Sequence, residues 1–72
     1  MNLTELEEKV LEVIKEYCSE LDMETTELLE IIEDEKGIEK NIAKGAIGSL
    51  AKKKIVKMME INGEPSVWYP ED

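Results

Sequence analysis

A mainly α-helical chain with a small C-terminal β-hairpin is what this sequence predicts, and three observations predict it. Three stretches carry apolar residues at helical spacing, the pattern changes to β-type residues after Lys54, and an Asn62-Gly63 pair interrupts that last stretch. The chain has 72 residues, which leaves room for one core, so a single domain over 1–72 is expected.

The first helix is predicted near 4–21. Thr4 supplies a capping hydroxyl, and Glu5, Glu7 and Glu8 suit the positive end of the helix dipole. Leu6, Val10, Val13, Ile14, Tyr17 and Leu21 then recur on one face, and Leu11 and Cys18 widen that face beyond what one core contact needs. The extra edge raises the expectation of a homodimer paired through this helix; a core reaching further around it is the competing explanation.

A break at Asp22-Met23-Glu24 precedes the second helix, near 25–35, with Thr25 or Thr26 as its cap and Leu28, Leu29, Ile31 and Ile32 as its apolar face. Glu33-Asp34-Glu35 opposes the dipole at the helix end, so the helix should stop near Asp34, and Gly37 is the expected left-handed residue beyond it. The third helix is predicted near 39–53. Ile42, Ala43, Ala46, Ile47 and Leu50 fall on one side of a helical wheel, with Asn41, Lys44, Gly45, Gly48 and Lys52 opposite. Lys52, Lys53 and Lys54 suit its C-terminal end.

A hairpin over roughly 55–69 completes the chain. Asn62-Gly63 fits a type I′ turn because both residues tolerate positive φ, whereas Pro65 removes a ladder donor and points to a longer, looser tip. Trp68 and Tyr69 lie on opposite faces of the strand, and Trp68 is the expected core residue of the two.

Charge divides the molecule. Residues 1–35 carry thirteen Asp or Glu against Lys9 and Lys15, whereas residues 36–59 carry seven Lys against Glu39 alone, in a chain of net charge −9. Net negative charge repels nucleic acid at long range, but a local basic patch still makes phosphate contacts within a Debye length of about 8–10 Å.

Other chemistry finds little support. With no His and Cys18 as the only cysteine, the chain supplies neither a tetrahedral zinc site nor an internal disulfide, and Cys18 reads as a small buried hydrophobe. Glu33-Asp34-Glu35 lacks the spaced oxygen ligands of a calcium loop and reads as a solvated helix end. Ser19, Ser49 and Ser66 sit in no nucleophile motif, so an enzyme, catalytic residues, a metal and a cofactor are not expected. No apolar run approaches a membrane span, and the acidic first residues do not resemble a secretory leader; a cytoplasmic location without membrane association is expected.

The order helix, helix, turn, helix, hairpin, together with the stretch from Gly37 through Asn41-Ile42-Ala43-Lys44-Gly45-Ala46-Ile47-Gly48-Ser49-Leu50 to Val56, resembles the winged helix-turn-helix family. The resemblance covers nearly the whole chain. It implies three helices plus a C-terminal wing, with Ile38, Ile42, Ala46 and Leu50 facing the core. It further implies that Asn41, Lys44, Gly45 and Gly48 meet the major groove of double-stranded DNA, that Lys40, Lys44, Lys52 and Lys57 contact phosphates, and that residues 62–65 form the wing tip. Against a strong base reader stand the absence of Arg and the acids Glu60 and Glu64 near the tip. Gly45 and Gly48 have two explanations: close approach of a ligand, or glycines that are simply tolerated on the surface or help pack the hairpin. Two functions follow from these features. One is a DNA-binding transcriptional regulator; the other is an acidic interaction module that docks a protein partner through helix one, helix two or the Leu11/Cys18 edge.

Overall fold

The computed structural model describes residues 3–70, and it contains the predicted three helices followed by an antiparallel hairpin in a winged-helix-like layout. Helix α1 spans Glu5–Cys18, α2 Thr25–Lys36 and α3 Lys40–Lys52; strand β1 is Met23–Glu24, β2 Lys57–Ile61 and β3 Glu64–Trp68. The sheet order is β1-β3-β2, all antiparallel, with Met23 opposite Val67 on one side of β3 and Met58 opposite Val67 on the other. No helix among the described residues is long and apolar enough to cross a membrane.

Helix α1 starts on a complete capping box: the Glu7 N–H donates to the Thr4 hydroxyl at 3.1 Å, and the Thr4 N–H donates to the Glu7 carboxylate at 2.9 Å. It ends at Cys18, three residues short of the expected boundary. Leu21 therefore leaves the helical face and is 74% exposed, while the Cys18 carbonyl accepts the N–H of Tyr69 at 3.1 Å. That bond ties the end of the hairpin to the end of α1.

The cap of α2 differs from expectation. Glu24 holds the capping position without a side-chain bond, and Thr25 instead donates its hydroxyl to the carbonyl of Pro65 at 3.1 Å. The helix runs on to Lys36 rather than stopping near Asp34. Lys36 explains the extension, because it places a cation in the last turn and reaches the Glu12 carboxylate of α1 at 2.7 Å. Gly37 turns the chain at φ 67° as expected.

The core is formed by Val10, Val13, Ile14 and Cys18 from α1, Leu28 and Ile32 from α2, Ala43, Ala46, Ile47 and Leu50 from α3, and Val56 and Val67 from the hairpin segment. Leu11 is also buried, so the edge that raised the expectation of a dimer through α1 is covered by the chain's own core.

At the tip, Asn62 (φ 53°) and Gly63 (φ 80°) form a two-residue turn between the paired Ile61 and Glu64. The looser tip expected from Pro65 does not form. Alternation along the ladder makes Glu60 and Pro65 a pair without mutual hydrogen bonds, so Pro65 forfeits no ladder donor there. Trp68 is not the core residue of the strand end. Val67 takes that place, while Trp68 lies half-buried on the outer face with the Lys57 ammonium 5.5 Å from its ring; Tyr69 packs against the core.

Candidate nucleic-acid interface

Packing assigns the two sides of α3. Ala43, Ala46, Ile47 and Leu50 are buried against α1 and α2, which leaves Lys40, Asn41, Ile42, Lys44, Gly45, Gly48 and Lys52 exposed. At about 100° per residue, Asn41, Gly45, Gly48 and Lys52 form one narrow strip down the middle of the open face. Lys40 and Lys44 flank the strip on one side, and Ile42 flanks it on the other.

Ile42 departs from the expectation that it faces the core: it is 50% exposed. Its position explains the outcome, since it lies about 90° from the centre of the buried arc of α3. Ala43 and Ala46, nearer that centre, are buried.

The two glycines of the strip have open space around them. A methyl group built at Gly45 or Gly48 would meet no atom within 4 Å, so neither glycine is required for packing the hairpin. The backbone of α3 is left uncovered at these two positions.

Of the lysines around this face, Lys53 is committed elsewhere. Its ammonium donates to both oxygens of Glu7, at 3.0 and 2.9 Å, and Ser49 donates its hydroxyl to the same carboxylate at 2.6 Å. Glu7 is only 4% exposed, and the Ser49 hydroxyl, the Thr4 N–H and the Lys53 ammonium together hold its carboxyl down at about 2. This cluster fixes the C-terminal half of α3 on the start of α1. Sequence spacing gave no sign of it.

Lys57 is separated from the strip on α3. It lies on β2, across from Trp68, and shares a hollow with Lys54, Ala51, Val56, Met58 and Met59. The hairpin tip offers the opposite charge: Glu64, Glu24, Glu27 and Asp22 line a hollow between the wing and the start of α2. The groups available to a polyanion are therefore Lys40, Lys44 and Lys52 on α3, with Lys54 and Lys57 at the base of the hairpin. No group of residues that could hold a metal ion occurs among the described residues.

Comparison with known protein families, curated proteins and solved structures finds no match to this chain.

Proposed function

We propose that this chain is a winged-helix DNA-binding domain that acts as a transcriptional regulator, with α3 in the major groove and Lys40, Lys44, Lys52 and Lys57 on phosphates. One observation carries the proposal. Residues 40–59 contain no Asp or Glu in a chain that has 18 of them, and this acid-free stretch includes the glycine strip and the open face of α3. Solvated helix faces elsewhere in the chain are dense in carboxylates, so solubility alone does not call for the exception.

A gel shift with mixed genomic fragments at low salt, about 0.05 M, tests the proposal. Neutralising Z phosphates gives a log–log salt slope of about −0.9Z, so three or four lysine contacts give roughly −3 to −4. Changing Lys44 and Lys52 together to Glu should abolish the shift. No shift at tens of micromolar protein overturns the proposal, because non-specific binders reach about 10⁻⁴–10⁻⁶ M even at physiological salt.

A protein-binding role is favoured by a different observation. Leu21, Met59 and Trp68 border one hollow beside Glu20 and Asp22, an exposed apolar spot with an acidic rim. If that role holds, DNA binding is undetectable, and Leu21→Ser or charge reversal at Glu20 and Asp22 removes binding to the partner.

A further inference from the structure

Ile42 is unusual among the exposed apolar residues of this chain. Leu21, Met58, Met59 and Ile61 all belong to the loop and strands of the wing side, whereas Ile42 stands alone in the first turn of α3. It is not among the half-buried side chains packed on the core, a role that Ile38 fills just before the helix. An isoleucine is stiff at χ1, so its two branches form a fixed apolar knob. Asn41, its neighbour in sequence, is exposed on the middle strip.

We infer that the DNA read by α3 is A·T-rich, with Ile42 packed on thymine 5-methyl groups and Asn41 paired with the N6 and N7 edge of adenine. The inference rests on the DNA-binding role proposed above and adds the sequence class of the ligand. Four features support it. The first turn of a recognition helix is the part that meets base edges. Asparagine matches adenine bidentately, and an apolar group matches the methyl that distinguishes thymine in the major groove. The chain has no Arg, the residue that most often reads guanine. Ile and Asn are also short, so they touch base edges only if the helix backbone comes close, and Gly45 and Gly48 remove the side chains that would hold it off.

The test compares three 24-base-pair duplexes by fluorescence anisotropy: a mixed A·T sequence, the same sequence with deoxyuridine for every thymidine, and a G·C sequence. Deoxyuridine removes only the 5-methyl group. Wild type should prefer the A·T duplex over the G·C duplex by tenfold or more, and should lose about fourfold per contacted methyl on the uridine duplex, since burying one such carbon is worth about 0.8 kcal/mol. Ile42→Ala should bind the thymidine and uridine duplexes equally while keeping the wild-type salt slope. Because Ile42 is half exposed, its variant should also keep the wild-type melting temperature within a few degrees. Equal wild-type affinity for the thymidine and uridine duplexes, or for A·T and G·C, overturns this inference and leaves the DNA-binding role standing. No binding to any duplex overturns both.

Discussion

Helices α2 and α3 end in the same backbone conformation with different residues, and the difference is measurable. Gly37 follows α2 at φ 67°, and Lys54 follows α3 at φ 64°. Around Lys54 the chain makes a complete Schellman closure: the Ile55 N–H donates to the Leu50 carbonyl and the Lys54 N–H to the Ala51 carbonyl, both at 3.0 Å. A side chain with a Cβ pays about 1–2 kcal/mol to sit in the left-handed region, so Lys54→Gly should remove that cost. Glycine also gives the unfolded chain more freedom, which returns about 0.4–1 kcal/mol. The net expectation is a gain of roughly 0.5–1 kcal/mol, or about 2–8 °C in melting temperature for a domain of this size. Lys54→Ala, which keeps the Cβ and removes the charge, separates backbone relief from electrostatics and should show little of the gain. Gly37→Ala is the reciprocal test and should destabilise by about 1 kcal/mol or more. Thermal melts followed by circular dichroism at one pH and salt suffice. If Lys54→Gly melts at or below Lys54→Ala, the left-handed turn is not a cost in this fold and the reasoning fails.

The buried residues and groups make three further predictions. Leu50→Ala should cost about 2–5 kcal/mol in urea unfolding, because Leu50 is fully buried in the last turn of α3; a loss under about 1 kcal/mol would contradict its placement. Glu7, whose carboxyl is held at about 2 against the ordinary 4.5, stabilises the fold above pH 4.5 and loses that contribution as pH falls towards 2. The melting temperatures of wild type and Glu7→Gln should therefore converge on acidification, and a gap that stays constant from pH 6 to pH 2 would refute the cluster with Ser49 and Lys53. Burial, with Asp22 adding to it, pushes the Cys18 thiol up to about 11, so native protein at pH 8 should react slowly with a disulfide reagent and fully only in denaturant; rapid native labelling would show the end of α1 to be open.

Features with a local cause were legible in the sequence. Gly37 and Asn62-Gly63 announce positive φ, and Thr4 announces the cap of α1, because each demand is met within four residues. Features with a distant cause were not. Strand β1 has two residues, too few to show alternation, and exists only because Val67 and Ser66 lie beside it. Glu7 read as an acid favouring the helix dipole, yet its main partners are Ser49 and Lys53, the latter 46 residues away. Alternation along a strand says that Trp68 and Tyr69 face opposite ways but not which way, since register decides the face, and Val67 shares its face with Met23 and Met58. At the candidate interface the open face of α3 was legible from helical period. The exposure of Ile42 was not, because a residue at the margin of the buried arc is placed by how closely its neighbours pack.

For the DNA-binding role proposed above, a chain of net charge −9 must present its charges unevenly, and the fold separates them. The acids of α1 and α2 sit on helices packed behind the buried face of α3, in a molecule of 31 × 26 × 19 Å. At 0.1 M salt the Debye length is about 10 Å, shorter than the least of those dimensions, so DNA docked on α3 is largely screened from the acidic side. At 0.01 M it is about 30 Å, and the whole molecule lies within range. Counterion release and repulsion by the acidic side then act in opposite directions as salt falls. The log–log plot of affinity against salt should follow a slope of roughly −3 to −4 above 0.1 M and flatten below about 0.03 M. Replacing exposed acids of the two helices, Glu8 and Glu16 on α1 and Glu30 on α2, by Gln should restore the straight line at low salt while leaving the high-salt branch in place. A wild-type plot that stays linear down to 0.01 M would mean that the acidic helices are not felt by the ligand, and that the uneven charge of this chain does not orient it on DNA.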